Sequence, residues 1–202
     1  MKTPSEIYLD LDDVLNTFTE SFLDNFGLKP DITTLCPKIG WDMTAQINRL
    51  HGLEDDDRLT AKALWSMVRP SFWSAVPKAE HTDELVAMCF DLVGPNNVFV
   101  ATSPTKCSQS MAEKHKWIIE NLPEQLHRQF FVTPRKWKLS QPGSLLIDDC
   151  WSNIWSQDGP RWEARGGDYI LVPRPWNTLH EQTSQAFAHI KAELEARLEP
   201  RN

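Results

Sequence analysis

Acidic residues follow two apolar runs. Ile7-Tyr8-Leu9 leads into Asp10-Leu11-Asp12-Asp13, and Leu145-Leu146-Ile147 leads into Asp148-Asp149. Asn97–Ala101 leads instead into the hydroxyls of Thr102 and Ser103, and Lys138 lies shortly before the second acidic group. Short apolar runs bounded in this way read as buried strands, which places every one of these polar sets at a strand's carboxyl end. Carboxylates gathered there repel one another and are costly to desolvate. A hard cation among them relieves both problems, and oxygen ligands suit Mg2+, which also bridges to phosphate. The lysine, together with backbone N–H groups at a helix start near Ser103, would hold a phosphate. One carboxylate is then free to attack phosphorus and form an aspartyl-phosphate.

Each piece alone has a plainer reading. Asp-Leu-Asp-Asp is often a turn or a helix cap, Thr-Ser-Pro a helix start, and a lone lysine a solvated side chain. The chemical reading rests on their order and on their shared place at strand ends, where ligands bind in a doubly wound sheet.

The remaining elements must position these groups. Apolar Phe18, Phe22, Leu23 and Phe26 have helical spacing, closed by Gly27, and predict a helix over 17–27. A loop follows over 28–41, then short helices over 42–50 and 56–68, and an amphipathic helix over 81–93. Ser103-Pro104 suits an N-cap and first turn, and predicts a helix running to about Asn121. Further strands are expected at Phe130–Thr133, Ser144–Ile147 and Tyr169–Val172, and a last helix over 178–197. Strands alternate with helices from residue 81 onward, which implies a doubly wound, Rossmann-like parallel α/β sheet. The helix-rich stretch 18–77 interrupts that alternation after the first strand and reads as an inserted cap, leaving 1–17 and 78–202 as the core domain.

Composition narrows the function classes. The chain has 202 residues, 41% of them hydrophobic, enough for a sizeable core without covalent staples. Its net charge of -7, with basic residues scattered, disfavours tight binding to long nucleic acid. Four cysteines without CxxC spacing and six histidines without HExxH argue against a zinc enzyme and for reduced thiols in a cytoplasmic protein. No apolar stretch reaches the ~20 residues of a membrane span, and the N-terminus lacks a secretory signal's apolar core.

Taken together, these motifs resemble those of the haloacid dehalogenase superfamily of phosphotransferases. Asp10–Leu15 is similar to its first motif, Thr102 to its second, Lys138 to its third and Asp148-Asp149 to its fourth. Within the superfamily, DLDDVLNTF at 10–18, Phe72-Trp73, FVATSPT at 99–105 and LLIDD at 145–149 most resemble the 5'(3')-deoxyribonucleotidases. The resemblance implies that fold, with a small helical cap inserted after the first strand. It implies Asp10 as nucleophile, Asp12 as general acid and base, and Thr102 and Lys138 as phosphoryl contacts. It further implies Mg2+ held by Asp10, the Asp12 backbone carbonyl and one of Asp148 and Asp149. Phe18 and Trp41 match positions that stack on a base, although Phe18 also fits an apolar helix face; Ser103 joins them as a substrate contact. The implied substrate is a nucleoside monophosphate, and the implied assembly a homodimer.

Two residues depart from the nucleotidase pattern. Asp13 replaces a glycine, and Cys150 stands where an arginine is common. Arg174, in Val172-Pro173-Arg174-Pro175-Trp176-Asn177, reads either as a phosphate contact or as part of a strand-ending turn. Another small phosphate ester, a nucleic-acid end, and a non-catalytic nucleotide-binding module are the other functions this pattern allows.

Overall fold

The computed structural model describes residues 3–69, 71–105, 107–156 and 159–198. Five strands form one sheet: β1 (Glu6–Leu9), β2 (Val98–Thr102), β3 (Phe130–Val132), β4 (Ser144–Asp148) and, later in the chain, β7 (Asp168–Leu171). The order is β3-β2-β1-β4-β7, and every pairing is parallel. This is the doubly wound α/β architecture the alternation implies. β1 lies at the centre, flanked by β2 and β4, and these strands read as apolar runs because both faces of a parallel sheet are covered.

Alternate side chains of each strand serve opposite faces. Ile7 and Leu9 of β1 join Val98, Val100, Leu145 and Ile147 in the larger core cluster. Helices α5 (Thr82–Val93), α6 (Ser110–Asn121) and α8 (Ala186–Leu198) supply Leu85, Val86, Trp117, Ile118, Ile190 and Leu194 to the same cluster. Tyr8, Ala101 and Leu146 face the other way and meet Ile154, Trp162 and Leu171. Each fully buried aliphatic side chain contributes about 1.5–3 kcal/mol relative to exposure.

Residues between β1 and α5 fold as α1 (Phe18–Asn25), α2 (Met43–Leu50), α3 (Ala61–Ser66) and α4 (Phe72–Ala75). Their apolar faces gather Phe18, Phe22, Leu23, Met43, Ile47, Leu64 and Trp73 in a cluster of their own, joined from elsewhere by Trp176. Two side chains start these helices locally: Asp42 accepts from Ala45 N at α2 and Thr60 from Ala63 N at α3.

Several sequence expectations are corrected here. The helix expected from Ser103 begins only at Ser110. Thr105 Oγ1 accepts from Cys107 N at 3.2 Å, and such local hydroxyl bonds compete with helical ones, so the described residues between 103 and 109 form a loop. The expected 56–68 helix shrinks to α3, because Thr60 caps it and Asp55–Asp57 take a 3-10 turn. The last helix is split, with a 3-10 segment at His180–Gln185 ahead of α8. After β4, a short helix α7 (Trp151–Ile154) runs into a small antiparallel ribbon of β5 (Trp155–Ser156) and β6 (Gly159–Pro160), which no sequence pattern announced. Among the described residues no helix is long and apolar enough to cross a membrane, and all four cysteines are free thiols.

Asp13 has φ +61°, the left-handed region that favours glycine. Its carboxylate offsets the strain by accepting from Thr19 N at 2.8 Å and Thr19 Oγ1 at 2.6 Å. Asp13→Ala loses those bonds and keeps the strain, whereas Asp13→Gly loses the bonds and sheds the strain. In urea denaturation the glycine variant should be the more stable of the two by about 1 kcal/mol. Equal stabilities would show that this backbone is unstrained.

Candidate active site

Strand register builds the site. Leu9 pairs with Ile147 between β1 and β4, and Asp10 N donates to Ile147 O at 2.9 Å. The residues that follow, Asp10 and Asp148, therefore emerge side by side at the carboxyl edge of the sheet. Thr102 ends β2 beside them. One carboxylate oxygen from each of Asp10, Asp148 and Asp149 lies within 4.8 Å of the others, all three residues being buried.

Lys136 holds this crowd together. Its ammonium is 2.6 Å from Asp10 Oδ1 and 2.7 Å from Asp148 Oδ2, with 1% of its side chain exposed. Burial disfavours its charge, but the two facing carboxylates outweigh that and keep it firmly protonated. Burial pushes Asp10 up, with Asp148, Asp149 and Asp12 pushing the same way and Lys136 opposing. Asp149 is pushed up to about 8, first by burial and then by Asp148 and Asp13. Burial leads both shifts, and neighbouring negative charge adds to it.

Only some of the carboxylate oxygens stay free of hydrogen bonds. Asp148 has none left: Oδ1 accepts from Cys150 N at 2.7 Å, Oδ2 takes Lys136, and Asn153 Nδ2 donates to both. Asp10 Oδ1 takes Leu11 N and Lys136, and Asp149 Oδ2 takes Trp176 Nε1. Asp10 Oδ2 and Asp149 Oδ1 accept no hydrogen bond among the described residues. Both residues line a cavity of about 380 Å3, together with Asp12, Ser103, Lys114, Lys136 and Cys150. Three aromatic side chains line it as well: Phe18, Trp41 and Trp65. Phe18 and Trp41 stack with centroids 6.4 Å apart and 28° between planes.

A second lysine lines the same cavity. Lys114 Nζ reaches Asp12 Oδ2 at 2.5 Å, Thr102 Oγ1 at 3.0 Å and Ser103 O at 2.9 Å. Asn16 Nδ2 steadies the other oxygen of Asp12 at 3.2 Å. Were all four acids (Asp10, Asp12, Asp148 and Asp149) ionised, they would exceed the two ammonium groups by two negative charges. An all-oxygen donor set with that deficit fits a divalent hard cation.

The structure sorts the expected residues. Asp10, Asp12, Ser103 and Asp149 line the cavity, as do Phe18 and Trp41. Phe18 is also core, 1% exposed, whereas Trp41 is 39% exposed. Thr102 is buried behind Lys114 rather than lining the cavity. Asp148 lies beneath, its oxygens filled. Lys138 is a correction. Residues 136–139 form a 3-10 turn, in which positions two apart point about two-thirds of a turn away from each other. Lys136 turns inward, while exposed Lys138 lies over the Trp137 ring at 4.5 Å. Arg174 is no phosphate contact: it is buried and donates to the backbone carbonyls of Asp13 and Pro173. Cys150 lines the cavity, and burial pushes its thiol up to about 12.

Sequence reasoning missed Lys114, Asn16, Asn153 and Trp65. Only Lys114 left a signal. It falls with Ser110, Trp117 and Ile118 on the buried stripe of α6, where a solvated lysine does not belong.

By sequence, the chain matches no family model and no curated protein. Its backbone is similar to solved structures. A HAD family hydrolase from Deinococcus radiodurans R1, with bound phosphate and sodium, aligns with TM-score 0.56 and 15% identity over 98% of this chain and 97% of that one. The fold is that of haloacid dehalogenase hydrolases. A conserved haloacid dehalogenase-like protein of unknown function from Agrobacterium tumefaciens aligns with TM-score 0.57 and 14% identity, over 96% and 99% of the two chains. A putative phosphoglycolate phosphatase from Lactobacillus delbrueckii subsp. bulgaricus aligns with TM-score 0.50 and 13% identity, over 99% and 100%.

On this haloacid dehalogenase fold, the lysine at 136 should matter and the one at 138 should not. Lys136→Met leaves Asp10 and Asp148 buried and unpaired, and should destabilise the metal-free protein by about 3–5 kcal/mol in urea denaturation. Lys138→Met should stay within about 0.5 kcal/mol of wild type. Equal losses would contradict this assignment of the two lysines.

Proposed function

We propose that the protein is a Mg2+-dependent phosphomonoesterase that works through an aspartyl-phosphate on Asp10, with a nucleoside monophosphate as substrate. The carrying observation is the cavity itself, lined both by Asp10 with Lys114 and Lys136 and by the aromatic side chains of Phe18, Trp41 and Trp65. Its volume, about 380 Å3, falls within the range of small-molecule sites. The haloacid dehalogenase hydrolase fold and the phosphate in the Deinococcus hydrolase support the reaction class.

In this reading residues 18–77 are the cap that selects the substrate. Base stacking belongs on Trp41 and Trp65, with Phe18 behind them. Lys136, Ser103 and Lys114 bind the phosphoryl oxygens, and Thr102 acts by fixing Lys114. Asp10 Oδ2 attacks phosphorus, the ester P–O bond breaks, and Asp12 delivers a proton to the departing alkoxide. Asp12 then takes a proton from water, the water oxygen attacks phosphorus, and the bond to Asp10 breaks to release phosphate. Mg2+, held by Asp10, Asp149 and the Asp12 carbonyl, would supply charge neutralisation to the phosphoryl group. Asp148 would act from beneath by holding Lys136.

The test is phosphate release from nucleoside 5'- and 3'-monophosphates and from sugar phosphates, with Mg2+ and with chelator. Mg2+-dependent release concentrated on nucleotides is expected. Trp41→Ala should then raise KM for the nucleotide about 5- to 150-fold with kcat little changed, the value of one stacked base. Release from sugar phosphates alone would overturn the substrate, and release undiminished by chelator would overturn the role of the metal.

A further inference from the structure

The segment after β7, Val172-Pro173-Arg174-Pro175-Trp176-Asn177, has no part in the reaction above. Three of its side chains nevertheless donate to the two acid-bearing loops. Arg174 Nε donates to Asp13 O at 3.0 Å, and its Nη2 donates to the same carbonyl. Asn177 Nδ2 donates to Asp149 O at 2.8 Å and to Val172 O at 2.8 Å, while its Oδ1 accepts from Arg174 N and Leu179 N. Trp176 Nε1 donates to Asp149 Oδ2 at 2.6 Å. One short segment thus grips the loop after β1 through Asp13 and the loop after β4 through Asp149. Arg174, Trp176 and Asn177 are 8%, 7% and 7% exposed, so these bonds are shielded from water.

The bond to Asp149 has a direct geometric effect. A carboxylate can rotate, but with one oxygen fixed on the indole N–H at 2.6 Å the orientation of the whole group beside Asp10 and Asp148 is set. The indole cannot swing away either, because its ring is packed in the apolar cluster of α1–α4 with Phe18 and Phe22. We propose that Val172–Asn177 is a positioning clasp for the cation site, in which Trp176 orients Asp149 as a metal ligand and Asn177 and Arg174 hold its loop in register with that of Asp10. This rests on the reading of Asp10 and Asp149 as cation ligands. Groups that orient metal ligands from behind are typically worth about 10–100-fold in affinity.

Calorimetric titration of Mg2+ into the metal-free protein tests the clasp without turnover. Trp176→Phe keeps an aromatic body in the cluster and removes only the N–H. It should weaken Mg2+ binding about 10–100-fold, and activity should return toward wild type at saturating Mg2+. Trp162→Phe is the control: Trp162 is fully buried, and its Nε1 has no partner among the described residues. It should bind Mg2+ as wild type does. Asn177→Ser cuts the tether on the Asp149 carbonyl by a separate route and should also weaken binding, which covers a failure of Trp176→Phe to fold. Wild-type affinity in Trp176→Phe or in Asn177→Ser overturns the clasp and leaves the metal reading standing. Failure of the wild-type protein to bind Mg2+ overturns both.

Discussion

Carboxylates crowded at the end of a buried sheet are the constraint around which this molecule is organised. Adjacent parallel strands in register deliver Asp10 and Asp148 to the same edge, and Asp149 follows one residue later. Such a group is unstable unless charge is brought to it. Lys136 bridges two of the acids and Lys114 a third, and the deficit left over matches a divalent cation. Removing water strengthens every one of these interactions, both attractive and repulsive. The scaffold must therefore hold each oxygen in place, since relaxation would leave a charge buried and unpaired.

Much of the surrounding structure serves that purpose. The turn after β1 takes a left-handed residue at Asp13 and ties it to Thr19 at the start of α1. The same Asp13 supplies the carbonyl on which Arg174 closes. Trp176 spans two regions, with its N–H on Asp149 and its ring among the apolar side chains of α1–α4. The helices that carry Phe18, Trp65 and the loop of Trp41 are thus packed onto a residue that also orients an acid of the cluster. Aromatic wall and charged floor share one mechanical frame.

The sheet was legible because buried parallel strands leave apolar runs, and polar residues at their ends stand out. All five expected strands lie within a residue or so of the observed ones. What the sequence hid has physical causes. Lys136 and Lys138 differ by two positions, and only the 3-10 turn decides which points inward. The late start of α6 follows from hydroxyl bonds in the 103–109 loop that propensity does not see. Asn153 and Trp176 reach Asp148 and Asp149 from segments that carry no pattern of their own. Arg174 was ambiguous between an anion contact and a turn until its partner, a backbone carbonyl, was visible.

Covalent capture of Asp10 is the most direct test of the chemistry. The protein is mixed with a nucleoside monophosphate that it turns over and with Mg2+, then quenched in acid within one turnover and reduced with borohydride. An aspartyl-phosphate is converted to homoserine, which peptide mapping locates. Homoserine at position 10, absent when substrate is omitted, is the predicted result. Conversion at another aspartate, or none in a protein that is releasing phosphate, would contradict nucleophilic attack by Asp10.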